Sequence, residues 1–355
     1  MKLYKILLLP VSFLYGIVIA IRNLLFDYGI LSAQGFKTTV ISVGNLSTGG
    51  TGKTPHVEYL INLLIHKYKL AVLSRGYGRK NNGFIVADEN KSAVEIGDEP
   101  LQIKKKFNNV IVAVSNSRVK GINELLKMNP EINIILLDDA YQHRYVNPAI
   151  SILLTDYSLL YANDFVLPSG NLREFQSGAS RADIIIVSKT PILFSPLDRR
   201  FLINKLNPKP YQKIYFSYTT YGNLVSLNKK ELIPFPKEYY FEKNYFILLL
   251  TGIANASNIS YYLKNHVENL QHLSYPDHYK YTYSDLKQIT NLFDNISASN
   301  KIIITTEKDA MRLLSTELEE FVEKLPIFYL PMEIRFHDQD KENFNHFITS
   351  YVKQN

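Results

Sequence analysis

The chain contains no cysteine and no tryptophan. Without thiols it can hold neither a disulfide nor a thiolate metal site, which fits a reducing compartment. Internal repeats and low-complexity tracts are absent as well, so a repeat array is excluded. Charge of one sign does not dominate: 40 Lys and Arg stand against 33 Asp and Glu, a net charge of +7. That modest basic excess suits anionic partners such as nucleotides or a phospholipid surface. Lysines are spread along the chain and no basic, aromatic stripe is present, so no nucleic-acid partner is expected. No obligate protein partner is evident either. What is present is globular in balance, with 46% hydrophobic and 21% charged residues, and 355 residues suit two domains better than one.

The longest apolar run, Ile6 to Ile21, is broken only by Pro10, Ser12, Tyr15 and Gly16. At about 1.5 Å per residue it reaches roughly 24 Å, short of a bilayer core of about 30 Å. A signal peptide, a buried first helix and a membrane-dipping helix are the competing readings. The first lacks its small-residue cleavage site, because the run ends in Ile19-Ala20-Ile21-Arg22-Asn23. The third is preferred: Lys2, Lys5 and Arg22 flank the run, and Leu24, Leu25, Phe26 and Tyr28 extend its apolar surface. Whether the segment spans or only embeds is left open by its length.

Beyond residue 36 short apolar runs alternate with helical stretches. Strands are expected at Thr39 to Val43, Leu70 to Leu73, Val110 to Val114, Ile132 to Leu137, Ile150 to Leu154 and Ile184 to Val187, with helices near Pro55 to His66 and Ser117 to Lys127. Largely apolar strands between amphipathic helices argue for a parallel sheet covered on both faces. Residues 208–243 are irregular and rich in Tyr and Pro, and Tyr215 to Tyr221 can pair with Asn223 to Leu227 as a hairpin. A second α/β unit then opens at Phe246 to Leu250. It continues with strands at Ile302 to Ile304 and Ile327 to Leu330 and helices near Ser257 to Asn265, Ser284 to Leu292 and Lys341 to Tyr351. The expected fold is α/β: a P-loop NTPase-like parallel-sheet core (29–212), a membrane-associated N-terminal helix (1–28), a linker (213–243) and a smaller C-terminal α/β domain (244–355).

Between the first strand and first helix lies Ser47-Thr48-Gly49-Gly50-Thr51-Gly52-Lys53-Thr54. Backbone N–H groups of such a loop cradle phosphate at the positive end of a helix. Lys53 can reach the β and γ phosphates, and the Thr54 hydroxyl can bind Mg²⁺. The pattern G-x-x-x-x-G-K-[ST] asks for Gly at position 47, where this chain has Ser. A second strand ends in Asp138-Asp139, carboxylates suited to a metal beside a phosphate loop, and Gln142 and His143 follow. If extended, Asp138 and Asp139 point to opposite sides and do not share one role.

Other segments fall on the same rim. Arg75 and Arg79, in Ser74-Arg75-Gly76-Tyr77-Gly78-Arg79, suit a phosphorylated substrate or simply a basic loop. Asp98 and Glu99, in Gly97-Asp98-Glu99-Pro100, offer a general base or a helix cap. Arg173, in the rigid turn Leu167 to Glu174, is placed to stabilise transferring phosphoryl charge. Tyr275-Pro276-Asp277-His278-Tyr279 is a turn carrying a His. A GTPase is disfavoured, because Lys308 and Asp309 are adjacent and the guanine-reading pattern needs a residue between them. A membrane-associated ATPase switch and a kinase for another anionic sugar or lipid are the alternatives that remain.

Nine segments, in order, resemble the tetraacyldisaccharide 4'-kinase family: 43–55, 74–80, 97–100, 137–144, 167–174, 181–183, 251–256, 275–279 and 305–310. Two departures are Ala140-Tyr141, where the family has Gly-Phe, and Phe175, where it has Pro. The resemblance implies a kinase on the cytoplasmic face of the inner membrane. Such an enzyme transfers the ATP γ-phosphate to the 4'-hydroxyl of a tetraacylated glucosamine disaccharide 1-phosphate, giving lipid IVA. It further implies Asp98 as general base with His278 as its partner from the second domain, and Arg173 as a phosphate clamp. Asp138, Asp139 and Glu99 would serve as metal and active-site carboxylates beside Thr54, and Arg75, Arg79, Gln142 and His143 as substrate contacts. The cofactors implied are ATP and Mg²⁺.

Overall fold

A computed structural model of the chain describes residues 3–79, 81–88, 91–228, 235–314 and 318–354. Lys2, Lys80 and parts of the expected linker (229–234) and second domain (315–317, 355) lie outside the described residues. In chain order the strands are β1 Thr39–Asn45, β2 Leu70–Ser74, β3 Ile85–Val86, β4 Ile111–Val114, β5 Ile134–Asp138, β6 Ile150–Asp156, β7 Ile184–Ser188, β8 Lys213–Tyr221, β9 Val225–Ser226, β10 Phe246–Thr251, β11 Leu270–Ser274, β12 Lys301–Thr305, β13 Ile327–Tyr329 and β14 Met332–Phe336.

Among the described residues these form two sheets. The larger has the order β14-β8-β7-β6-β1-β5-β2-β4-β3. It is parallel from β8 to β4 and antiparallel only at its edges. Every residue of β1, β2, β5 and β7 is buried, as a sheet covered on both faces requires. Helix Lys53–Leu64 buries Val57, Leu60, Ile61 and Leu64 on one face, and helix Arg118–Met128 buries Ile122 and Leu125 on the other. β1 lies between β5 and β6, where the strand order changes direction. In open α/β sheets, the crevice outside the carboxyl ends at that switch point is where ligands bind. The smaller sheet, β11-β10-β12-β13-β9, is the core of a second lobe.

The expected hairpin does not form. β8 pairs with β7 and β14 in the first sheet, while β9 pairs with β13 in the second. The alternating pattern fitted a hairpin equally well, but the two strands are needed by different cores. The division at 244–355 is corrected as well. At Met332 the chain returns to the first lobe, where β14 closes the edge of β8 and helix Asp338–Gln354 packs Phe344 against Tyr59, Tyr215 and Phe336. The second lobe is thus an insertion between β8 and β14. Its two connections run side by side, with the Gly222 N–H donating to the Pro331 carbonyl at 2.9 Å.

The N-terminal helix Leu9–Asp27 has 19 residues, a mean hydropathy of 1.8 and only 17% of its apolar window buried. It is long and apolar enough to cross a membrane, and too exposed to be a core helix. Leu14, Val18 and Ile21 face outward. Ser12, Gly16 and Phe26 face the body.

Candidate active site

The Ser47–Thr54 loop is pinned from three directions. Asn45 Nδ2 donates to Thr51 Oγ1 at 3.0 Å and to the Gly49 carbonyl at 3.4 Å. Ser188 Oγ, at the end of β7, donates to the Thr51 carbonyl at 2.8 Å, and Lys189 reaches the Gly50 carbonyl. Thr48 N–H donates to the Asn171 carbonyl at 2.7 Å. Ser47 is buried in an antiparallel bridge to Leu172 and does not take positive φ, whereas Gly49 does, at 118°. The left-handed freedom that the usual first glycine supplies is therefore not needed at position 47. Lys53 Nζ donates to the Gly49 carbonyl at 3.4 Å and lies 3.7 Å from Asp139 Oδ1.

Asp138 and Asp139 are neighbours with different surroundings. Asp138 ends β5 fully buried. Its Oδ2 accepts from Thr54 Oγ1 at 3.2 Å, while Oδ1 is buried without a hydrogen-bond partner. Burial, then the charges of Glu99 and Asp139, push its carboxyl up to about 7. Asp139 turns away at φ 48°. Burial raises it, but Lys53 and then Arg173 outweigh burial and hold it below its ordinary value. Arg173 forks onto it, Nη1 at 2.9 Å and Nη2 at 3.2 Å, and also donates to Gln142 Oε1 at 3.1 Å. Behind this pair sits Arg118, which the sequence reading did not single out. Its buried guanidinium donates to the Asp138 carbonyl at 3.1 Å, and burial lowers it to about 10.

In the same lobe, helix Asp98–Lys106 starts at Gly97, whose φ of 98° and ψ of 156° are open only to glycine. Its backbone touches that of Gly76, which seats the Ser74–Arg79 loop against the base of Asp98. Asp98 Oδ2 accepts from Arg312 Nε at 2.9 Å and Nη2 at 2.6 Å, and lies 3.6 Å from His278 Nδ1. Glu99 pairs with Lys308 at 2.6 Å. Burial raises Glu99, but Lys308 and then Lys53 bring it below its ordinary value, so its carboxylate feels both lobes at once. The structure thus brings His278 to Asp98 from the second lobe and adds two cations, Lys308 and Arg312. Both lie within or just after the 305–310 segment, but nothing in the sequence says which side chain crosses the cleft.

The remaining residues divide. Gln142 Nε2 donates to the Asn45 carbonyl at 2.8 Å and to Glu174 Oε1 at 3.2 Å, so it braces the loop that carries Arg173. His143 is lowered to about 4 by burial and then by Arg118 and Arg75, and is neutral at pH 7. Arg75 is exposed at the rim. Arg79 donates to the Gly83 carbonyl at 2.7 Å and Asn116 Oδ1 at 2.9 Å, tying down its own loop. The N-terminal helix reaches this frame too. Asn23 Nδ2 donates to Glu174 Oε2 at 2.8 Å, Tyr15 Oη to the Arg173 carbonyl at 3.3 Å, and Ser12 Oγ accepts the Ser169 N–H at 2.9 Å. The two departures from the family pattern also pack here: Tyr141 Oη donates to the Gly178 carbonyl at 2.7 Å, and Phe175 lies on Gly16.

A family model described as tetraacyldisaccharide-1-P 4'-kinase matches residues 4–353. The tetraacyldisaccharide 4'-kinase of Bacteroides thetaiotaomicron is 45% identical, covering 98% of this chain and 93% of its own. That of Flavobacterium johnsoniae is 45% identical over 100% of this chain and 99% of its own. A crystal structure of LpxK from Aquifex aeolicus in complex with ATP superposes with a TM-score of 0.76 at 28% identity, covering 99% of this chain and 100% of that one.

Proposed function

The chain belongs to the tetraacyldisaccharide-1-P 4'-kinase family, and from that premise we propose how its residues divide the work. It is an ATP-dependent kinase that phosphorylates the 4'-hydroxyl of a tetraacylated glucosamine disaccharide 1-phosphate in lipid A biosynthesis. The Ser47–Thr54 backbone cradles the ATP phosphates, and Lys53 neutralises the γ-phosphate. Asp98 accepts the proton of the 4'-hydroxyl as its oxygen bonds to phosphorus and the bond from phosphorus to the β–γ bridging oxygen breaks, releasing ADP. Arg173, held in plane by Asp139 and Gln142, meets the charge on the transferring group. Arg75, exposed at the rim, is the residue we assign to the substrate's own phosphate. The observation that carries this reading is the pairing across the two lobes: Arg312 and Lys308 of the second bond Asp98 and Glu99 of the first, each at 2.6 Å, beside a phosphate loop whose Lys53 lies 3.7 Å from Asp139.

The donor set also suits Mg²⁺. Among the described residues no three His, Asp or Glu side chains gather as a cage, and Mg²⁺ takes few protein ligands when phosphates and waters complete its shell. The unpartnered Asp138 Oδ1 beside Thr54 Oγ1 offers such a half-shell, and Asp138 and Thr54 would hold the ion, with Glu99 as a further candidate carboxylate. There Mg²⁺ would neutralise developing phosphate charge. The exposed apolar face of the N-terminal helix supports association with a membrane, and the reading puts the active site on the cytoplasmic face of the inner membrane, where ATP is available.

The test uses labelled Mg-ATP and purified tetraacyl disaccharide 1-phosphate with wild type, Lys53→Ala and Asp98→Ala. Transfer is expected only from wild type. Near-full rate in Asp98→Ala refutes the base, and no transfer by wild type refutes the acceptor. Deleting residues 1–28 is expected to release the protein from vesicles.

A further inference from the structure

Arg312 stands at the meeting point of every group assigned to proton removal. Its Nε and Nη2 both bond Asp98 Oδ2, so the other oxygen, Oδ1, is left for a further proton. Nη2 also reaches His278 Nδ1 at 3.3 Å. A guanidinium has five N–H donors and no acceptor. His278 Nδ1 is therefore an acceptor in this contact, any proton on a neutral ring sits on Nε2, and Nδ1 has no hydrogen to give Asp98, 3.6 Å away. Arg312 is itself fixed: Nη1 donates to the Gly252 carbonyl at 2.7 Å and to the buried Asp309 Oδ1 at 3.0 Å. Asp309 Oδ2 in turn accepts from Gly252 N–H at 3.0 Å and Thr306 Oγ1 at 2.7 Å. Only about 6% of the Arg312 side chain is exposed, so this is a built mount rather than a surface ion pair.

We propose that Arg312 is the positioning residue of this kinase. It holds Asp98 by Oδ2 with Oδ1 toward the acceptor hydroxyl, and it occupies His278 Nδ1 so that the proton from the 4'-hydroxyl stops on Asp98. The proposal rests on Asp98 being the base and adds what aims it. The atoms balance without His278 as a carrier: one proton moves to Asp98 Oδ1, one O–P bond forms, and one P–O bond to ADP breaks. Because Arg312 belongs to the second lobe and Asp98 to the first, the base is aimed only when the lobes are closed.

The test is steady-state kinetics with Mg-ATP and the tetraacyl disaccharide on Arg312→Gln, Arg312→Lys, Asp98→Asn and the double variants. General-base catalysis contributes roughly 10²–10⁴-fold, and losing the base's aim forfeits a large part of that. Arg312→Gln is expected to lower kcat about 10- to 100-fold, with KM for ATP within about twofold, and Arg312→Lys to recover part of it. In the Asp98→Asn background, Arg312→Gln is expected to cost almost nothing more, because the group it aims is gone. Unchanged kcat in Arg312→Gln, or a full further loss in the Asp98→Asn background, overturns the proposal. Near-full activity in Asp98→Asn fails the base reading instead, a distinguishable result. Should Arg312→Gln not fold, Arg312→Lys with and without Asp98→Asn carries the same comparison.

Discussion

Gly97→Ala isolates the backbone geometry that sets the base from any change in charge. At φ 98° and ψ 156° a Cβ is disfavoured whatever the space around it, and such conformations cost on the order of 1–3 kcal/mol. The space is tight as well: the added Cβ would lie 3.1 Å from the Tyr77 carbonyl oxygen and 3.2 Å from Gly76 Cα. Ordinary carbon contacts fall at about 3.5–4.0 Å, so the two backbones must part by a few tenths of an ångström. Those neighbours are main chain, not a side-chain tip that can swing aside. The displacement acts directly on Asp98, one residue on, whose bonds to Arg312 are 2.6 and 2.9 Å long. A 1 Å misplacement at a reacting group costs on the order of 10²-fold, so a displacement of a few tenths of an ångström is expected to lower kcat about 3- to 10-fold with KM for ATP little changed. Thermal unfolding should drop by a few degrees, roughly 2–4 °C per kcal/mol or less at this chain length. Gly35→Ala, with open space and no positive φ, is the control and should unfold at or slightly above wild type. Wild-type kcat in Gly97→Ala would show that the glycine does not place the base.

Further outcomes follow from groups around the site. Burial and then Glu307 push the Glu58 carboxyl from 4.5 up to about 7, although Lys106 opposes both. The folded protein therefore keeps a proton that the unfolded chain releases, so Glu58 contributes stability that is full below pH 4.5 and is lost as pH rises through 7. Glu58→Gln is expected to flatten Tm against pH across that window, and an unchanged slope would locate the dependence elsewhere. Arg79→Ala is expected to lower Tm, because it releases Gly83 and Asn116. Arg75→Ala should leave Tm alone and raise KM for the disaccharide, and the reverse pattern would exchange their roles.

The sequence exposed the core of this fold because its inner strands are covered on both faces. Ile134 to Leu137 and Ile184 to Val187 are uninterrupted apolar runs for that reason. What escaped it lies at edges. β11, LQHLS, is half-exposed at the rim of the second sheet and shows little apolar signal. β14 belongs to a sheet whose other strands end more than a hundred residues earlier. At the site, the loop and carboxylates were legible because their chemistry is tied to local pattern. Arg312, Lys308 and Arg118 were not, since their meaning comes from partners about 20 to 210 residues away.

The insertion of one lobe into the other sets an order on synthesis. β8 is made before residue 222, but its outer neighbour, β14, arrives only after the whole second lobe. Until then the nascent chain carries an open strand edge and an uncovered aromatic cluster around Tyr59 and Tyr215. The stretch from Met332 onward, to which no chemical role falls, is therefore what finishes the catalytic lobe. A ribosome that stops short of Met332 releases both phosphate loop and base on a sheet still missing its border.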